Sequence, residues 1–401
     1  MTAMWIFSGL FQAAVVTGLN LRTLRGRLAS SMVAVVGMAG VVGVLVSVLS
    51  IAEGIRTTMG NTGSPDTAIV MRAGSDAEMT SILMHEDVVA VKDAPGIARR
   101  PDVGALASAE LFVVVDLVKA STGTTANAPL RGVEPAAFAV RNFRMIKGRR
   151  FEPGRNEVVV GRAAAAEYRG LDVGSELKLG PNRWRVVGIF DAGGTVPDSE
   201  LWCDANVLAP LYHRGNSRQT VYVRLTSPDA YSSFKDHLTT DPRVKVKVMR
   251  EQEYYAAQAR TISGAIVLIG GIVGLLMGTG ALFVAIITMY SAVASRTREI
   301  ATLRALGFRG GPVVVSVLVE SMMLALVGGA VGAAAAYFGF NGYQAATMNW
   351  QNMSSVGFAF RVTPALLALG VGWALALGLL GGLFPAIRAM RLPIVTALRE
   401  L

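Results

Sequence analysis

The sequence predicts an α-helical membrane protein with four transmembrane helices and a large mixed α/β extracytoplasmic domain inserted between spans 1 and 2. Three observations predict it. Only 16% of the 401 residues are charged and 52% are hydrophobic, whereas ordinary soluble domains carry about 25% charged residues. Four stretches are long enough for a bilayer core, which needs roughly 20 apolar residues in a helix. Leu28 to Ala52, Thr261 to Ser295 and Val362 to Ile387 hold no charge, and Pro312 to Phe338 is interrupted only by Glu320. Finally, the excess of basic residues gathers at the ends of those stretches.

Taken in order, residues 1–27 read as an amphipathic helix on the cytoplasmic side. Ala3 to Leu19 is apolar but short and holds Gln12, which suits an interfacial position better than a fifth span. Arg22, Arg25 and Arg27 then precede the first span, 28–52, so that span reads as a retained anchor and not as a cleaved signal peptide. Segment 53–260 is nearly neutral, with 27 basic and 25 acidic residues. The rest of the chain has 11 basic and 3 acidic residues, and the basic ones cluster near span ends. Ten of them are Arg22, Arg25 and Arg27, then Arg296, Arg298, Arg304 and Arg309, then Arg388, Arg391 and Arg399; Arg361 is the eleventh. Positive charge marks the cytoplasmic side. The N-terminus, the loop 296–311 and the tail 388–401 are therefore placed in the cytoplasm. The domain 53–260 and the short loop 339–361 are placed outside, with spans 2, 3 and 4 at 261–295, 312–338 and 362–387. The net charge of +10 thus reflects topology; the lipid bilayer is the expected partner and nucleic acid is not.

The outer segment is long enough for one or two compact lobes. Strand-like runs occur at Leu111 to Val118, Asn156 to Gly161, Arg183 to Phe190, Thr220 to Leu225 and, strictly alternating, Val244 to Met249. Helices are expected at Arg162 to Arg169 and after Ser227-Pro228, where a hydroxyl precedes a proline suited to a first helical position. Chemistry-bearing motifs are sparse. His85, His213 and His237 are far apart, and no H-E-x-x-H, G-x-S-x-G or C-x-x-C occurs. Ser232 and Lys235 form a lone S-x-x-K on a polar helix, which reads as a solvated face. Cys203 is the only cysteine, so no internal disulfide forms. No catalytic residue, bound cofactor or metal is expected on this chain.

The spans carry more. Gly270, Gly274 and Gly278 recur every fourth residue in span 2, and Gly328/Gly332 and Gly378/Gly382 repeat the spacing. Such a row lets another backbone approach closely, either within the chain or, for the longest row, at a dimer interface. Glu320 is an intramembrane carboxylate, costly by itself, and so either a structural hydrogen-bonding group or a functional one. The stretch from Arg296 onward suits a short helix with Ile300, Leu303 and Leu306/Gly307 on one stripe and Arg298, Thr302 and Arg309 on another. Gly307 and Gly310-Gly311-Pro312 are expected to stop it.

At these residues the chain resembles FtsX-like permeases of ABC transporters, the MacB-type (type VII) class. The family's cytoplasmic loop runs approximately RxREIGxLRAxG. Arg296, Arg298, Glu299, Ile300, Leu303, Arg304, Ala305 and Gly307 follow it, with Ala301 where glycine is usual. Glu320 matches a glutamate common in the family, and Pro385, Ala386, Ala389, Pro393, Ala397, Leu398 and Arg399 resemble its C-terminal ending. The stretch from Val140 to Leu179 resembles the family's periplasmic core domain. The resemblance implies a bacterial inner-membrane permease that pairs with a second copy or a homologous chain. It implies coupling, through the helix Arg296, Arg298, Glu299, Ile300, Leu303, Arg304, Leu306 and Gly307, to a cytoplasmic ABC ATPase subunit. MacB itself carries an ATPase domain, but this sequence has no G-x-x-x-x-G-K-[ST] motif and no Gly-Lys dipeptide. ATP and magnesium are therefore expected on a partner subunit. The Ile300/Leu303 stripe is expected to enter a groove on that subunit, with the arginines pairing to acidic residues on its rim.

Two functions stay open under this resemblance. One is export or extraction of a lipid, lipoprotein, peptide or drug by mechanotransmission, with or without a periplasmic adaptor protein. The alternative is FtsX-like signalling that activates an extracytoplasmic cell-wall hydrolase. FtsX proper usually has a smaller external domain, so the length here favours transport. Substrate-stimulated ATP turnover would mark the first, and co-purification with a hydrolase the second. An independent membrane enzyme would need activity without an ATPase partner.

Overall fold

The computed structural model describes residue 12 and residues 15–18, 28–308, 310–349 and 351–391. Nearly all of 1–27, with Arg22, Arg25 and Arg27, lies outside the described residues. So do Arg309 and the end of the chain with Pro393, Ala397, Leu398 and Arg399. Two compact units result. One comprises Met1–Glu53, Gly264–Tyr343 and Phe360–Leu401, the other Gly54–Ser263 and Gln344–Ala359.

Four helices are long and apolar enough to cross a membrane: Ser31–Gly60, Glu251–Ala294, Gly310–Phe340 and Pro364–Met390. They outlast the charge-free stretches of the sequence because a helical ladder does not stop where hydrocarbon stops. The first begins at Leu28 and takes in Glu53 and Arg56 before Gly60, and the second starts at Glu251. The pair Gly310-Gly311, expected to end the preceding helix, instead opens the third one. Pro312 is tolerated there because the first four N–H groups of a helix have no intrahelical partner. The fourth is capped by Thr363, whose hydroxyl accepts from the Leu366 N–H at 3.3 Å, with Pro364 in its first turn.

Glycine sets how closely these helices pack. A Cβ at Gly270 would come within 2.7 Å of Val48, at Gly274 within 2.9 Å of Leu45, and at Gly278 within 3.3 Å of the Trp373 indole. The row therefore meets the first and fourth helices of its own chain, the intramolecular use that the sequence left open beside a dimer interface. Gly328 lies against Val35 and Met38, and Gly332 lies directly on the Ala39 carbonyl oxygen. Gly378 lies against Ala325 and accepts a 2.6 Å hydrogen bond from the Ser321 hydroxyl.

The α/β unit is built on strands β1 (Thr67–Arg72), β2 (Arg99–Arg100), β3 (Gly104–Ala105), β4 (Ala107–Val118), β5 (Thr125–Val133), β6 (Arg144–Gly148) and β7 (Glu157–Gly161). They continue with β8 (Glu176–Leu179), β9 (Asn182–Asp191), β10 (Leu201–Asp204), β11 (Thr220–Arg224), β12 (Val246–Arg250), β13 (Gln344–Asn349) and β14 (Ser354–Ala359). Ten form one sheet in the order β12-β1-β11-β4-β5-β10-β7-β9-β6, with β8 on β9. Strand β4 holds its halves together. Residues 107–110 pair antiparallel with β11, and residues 111–118 pair antiparallel with β5. One core forms where His85–Asp93 and Ala230–Thr240 cover the β1/β11/β12 half, through Val91, Phe234 and Leu238. Another forms under Ala205–Leu211 and Arg162–Glu167, around Trp184, Leu201 and Leu208. The helix expected after Ser227-Pro228 begins at Ala230, with Ser227 accepting the first turn bond through its carbonyl.

The loop expected at 339–361 is a folded hairpin of this unit. The Asn127 amide donates to the Met353 carbonyl at 3.0 Å, the Gly357 N–H to the Ser199 hydroxyl at 2.9 Å, and the Asn349 amide to the Gln258 side chain at 2.8 Å.

Among helix glycines, Gly332→Ala should destabilise the full chain by about 1–3 kcal/mol, because the new methyl meets backbone that cannot swing away. Gly271, which faces open space, should accept alanine without loss. Unfolding in detergent compares the two, and equal behaviour would contradict this packing.

Candidate coupling site

The short helix Thr297–Ala305 follows from its own residues. Its composition favours helix, Glu299 lies in the first turn and Arg304 in the last, as the helix dipole prefers. It ends where Gly307 takes φ +93°, with the Gly307 N–H donating to the Arg304 carbonyl at 3.1 Å and the Phe308 N–H to the Leu303 carbonyl at 3.1 Å.

Its inward face is fixed at three places. Arg296, the residue just before the helix, sends both terminal nitrogens to the Glu320 carboxylate at 3.0 and 3.1 Å, and both side chains are 4% exposed. Ile300 is 7% exposed and packs with Val293, Val313, Val317, Ala386 and Ala389. Arg304 donates to the Met390 carbonyl at 2.9 Å, in the last turn of the fourth spanning helix. Carbonyls there lack intrahelical donors, so a cation is well placed.

Two sequence expectations change accordingly. Ile300 is consumed by its own chain and is not offered to a groove elsewhere, and Arg296 is committed to Glu320. The reason is geometric: an amphipathic helix lying along a bundle buries its apolar stripe in that bundle first. Leu303 is half-buried, whereas Arg298, Glu299, Thr302 and Ala305 are exposed and Leu306 is 73% exposed. Glu320 has its partner: a carboxylate among apolar side chains is held by a bidentate guanidinium.

The α/β unit contains a cluster that the sequence did not announce. Arg131 reaches Glu78 at 2.5 Å, Glu110 at 3.1 Å and Glu200 at 2.8 Å. Arg141 reaches Glu110 at 2.8 Å and Glu251 at 3.4 Å. All six side chains are at most 3% exposed. Aromatic faces close the cluster, with Arg141 3.7 Å from the Tyr222 ring centroid and Arg131 5.1 Å from that of Phe112. The Trp202 indole donates to Glu200 at 2.7 Å and the Tyr222 hydroxyl to Glu78 at 3.0 Å. Four carboxylates face two guanidiniums, so the acids do not all fare alike. Burial pushes the Glu110 carboxyl above its ordinary range although Arg141 and Arg131 pull the other way. Glu200 is also penalised by burial, but the Arg131 charge and hydrogen bonds outweigh it and hold that carboxyl low. Its members come from separate elements between positions 78 and 251, and no local motif marks them. Glu110 sits where β4 passes from β11 to β5.

Among the described residues no group of three or more His, Cys, Asp or Glu could hold a metal ion. Ser232 and Lys235 are both exposed, and Cys203 is buried with its thiol pushed up by burial.

Comparison with known proteins gives two family matches: the MacB-like periplasmic core domain over residues 31–241 and the FtsX-like permease C-terminal over residues 271–394. A macrolide export ATP-binding/permease protein MacB from Bdellovibrio bacteriovorus is 24% identical over 400 residues, covering 91% of this chain and 58% of that protein. An uncharacterized ABC transporter permease YknZ from Bacillus subtilis is 29% identical over 153 residues, covering 38% of this chain and 36% of that protein. The chain thus spans little more than half the length of the MacB relative. The crystal structure of the periplasmic region of MacB from Actinobacillus actinomycetemcomitans aligns with 47% of this chain and 90% of that one, at 15% identity and a TM-score of 0.36.

The charge imbalance around Arg131 has a pH signature. Glu110, whose ordinary value is 4.5, is raised in the fold. Its stabilising effect is therefore complete below 4.5 and is lost as pH climbs through the raised value, because the unfolded chain releases the proton first. Glu110→Gln removes that loss. The stability of the variant relative to wild type should rise by up to about 1.4 kcal/mol per pH unit within this window, read by chemical unfolding of the full chain. A pH-independent difference would contradict the assignment.

Proposed function

Since the chain belongs to the family of MacB-type, FtsX-like ABC permeases, we propose that it is the permease subunit of an ABC complex whose ATPase lies on a partner subunit outside these 401 residues. The helix Thr297–Ala305 is the docking element for that ATPase. The observation that carries this reading is the two-sidedness of the helix. Its inner face is anchored to the membrane bundle by Arg296, Ile300 and Arg304. Its outer face presents Arg298, Glu299, Thr302 and the protruding Leu306. A mere connector needs neither the anchoring nor the apolar tip.

The positive-inside distribution supports a topology with this helix and both ends of the chain in the cytoplasm and the α/β unit outside. ATP and magnesium then act on the partner, and closure of the ATPase moves the permease without chemistry on this chain. The movement reaches the α/β unit and drives export or extraction of a lipid, lipoprotein, peptide or drug. The MacB relatives are named as macrolide export proteins, which supports the export side. A second permease copy and a periplasmic adaptor protein complete the proposed assembly.

Leu306→Asp should weaken association with a co-expressed ABC ATPase subunit about tenfold, the effect of losing an interface anchor of about 1.4 kcal/mol. Ile300→Asp should act differently, lowering the stability of the permease itself. Affinity capture followed by ATP turnover separates the two. If Leu306→Asp leaves binding and turnover unchanged, the helix is a connector and the docking reading fails.

A further inference from the structure

The Arg296–Glu320 pair does more than neutralise a buried carboxylate. Val293, Ile300, Val313 and Val317 line the same pocket as the pair, and Glu299 is the other charged residue there. Well-packed apolar residues of similar volume would commonly be as stable there, or more so, because two ions pay desolvation before they attract. What an ion pair of this shape adds is direction. Two parallel N–H···O bonds between planar groups fix an orientation, whereas contacts among valine and isoleucine tolerate sliding and rotation.

Direction matters at this position. The second spanning helix ends at Ala294, Arg296 leaves helical geometry with φ −112° and ψ 11°, and the short helix begins at Thr297. Arg296 is therefore the joint. Leu306 lies ten residues further on, about 15 Å along a helix at about 1.5 Å per residue, so a push on that tip acts on the joint through a lever. The far end is tied to the fourth spanning helix by the Arg304 bond to Met390. The joint end is tied to the third by Glu320, ten residues past Gly310 and so roughly 15 Å inside that helix. A load entering at Glu320 reaches an interior turn and not a fraying end.

We propose that Arg296 and Glu320 are positioning residues that fix the register of the helix Thr297–Ala305 on the third spanning helix and pass a push on it into the membrane bundle. This inference rests on the docking reading above. Without the pair the joint end of the helix is free to turn, held only through Ile300 and the Arg304–Met390 bond further along, and less of the partner's ATP turnover becomes motion in this chain. The outer face, with Arg298, Glu299, Thr302 and Leu306, is untouched by the loss, so association persists.

The experiment uses the full chain co-purified with a co-expressed ABC ATPase subunit, in wild-type form, as Arg296→Met/Glu320→Met and as Arg296→Lys. Three quantities are read: unfolding midpoint, association, and the permease-dependent stimulation of ATP turnover. The methionine double variant leaves no lone buried charge; it should fold and bind while its stimulation falls about tenfold, within the range typical of coupling between sites. Arg296→Lys keeps the charge but not the planar fork, and its stimulation should fall between the two. Full stimulation in a folded, bound double variant overturns the proposal, and full stimulation in Arg296→Lys overturns the orientation argument at its core. Should the double variant fail to fold, Arg296→Lys alone decides. Absence of any binding by wild type overturns the docking reading and this inference with it, whereas lost stimulation with binding intact concerns the pair alone.

Discussion

A charge taken out of water keeps its cost until an opposite charge and hydrogen bonds of good geometry surround it. That constraint shapes both units of this protein. In the helical unit it joins Arg296 to Glu320 over 24 residues of sequence. In the α/β unit it gathers four carboxylates around Arg131 and Arg141 and encloses them with Phe112, Trp202 and Tyr222. Neither arrangement can be assembled piecemeal. Remove one partner and a buried ion is left alone, which typically costs about 3–5 kcal/mol. Elements that supply the partners must therefore arrive together, and each cluster records which elements those are. For Arg131 they are β4, β5, the turn at Glu78 and the segment before β10. For Glu320 they are the third spanning helix and the joint at Arg296.

Around these fixed points the two units use different means of packing. In the helical unit burying apolar surface offers little net gain between spans, since lipid is as apolar as the helix partner. Close approach through glycine and short hydroxyl bonds takes over, as where Gly332 rests on Ala39 and Ser321 bonds to the Gly378 carbonyl. In the α/β unit water is excluded from ordinary cores. Trp184, Leu201 and Leu208 on one side and Val91, Phe234 and Leu238 on the other are buried in the usual way. Strand β4 belongs to both cores, and Glu110 lies at the residue where its partner changes.

Much of this was legible. Absence of charge marked three of the spans and a single carboxylate, Glu320, broke the remaining one, and alternation at Val244 to Met249 marked a strand observed at Val246–Arg250. The two-striped pattern from Arg296 to Gly307 marked a helix observed at Thr297–Ala305. Helix ends were less legible: Glu251 to Arg260 is too polar to count as a span, yet a helix runs through it because backbone bonding is indifferent to the side chain's solvent. The hairpin at 344–359 went unread because "QAATMN" carries little alternation and "SSVGFA" alternates only through Val356 and Phe358, and the hairpin is held by Asn127, Ser199 and Gln258 elsewhere. The Arg131 cluster was invisible for the same reason on a larger scale. Each member alone reads as a surface charge, and only the topology brings them together.

The direction of the stripe on the short helix alters what a partner can recognise. Had Ile300 and Leu303 both faced outward, docking would have been driven chiefly by burial of apolar area. With Ile300 turned into the bundle, the exposed face is a basic and acidic rim around one leucine. Under the docking proposal such a face steers association electrostatically, so its rate should depend on ionic strength more than its final affinity does. A single apolar anchor among charges also confers specificity cheaply, because a mismatched rim opposes binding by repulsion. The same helix is meanwhile bonded to the third and fourth spans, by Glu320 and the Met390 carbonyl. A partner that grips its outer face therefore grips the bundle, and the strength of that grip can be modest so long as the inner attachments do not yield first.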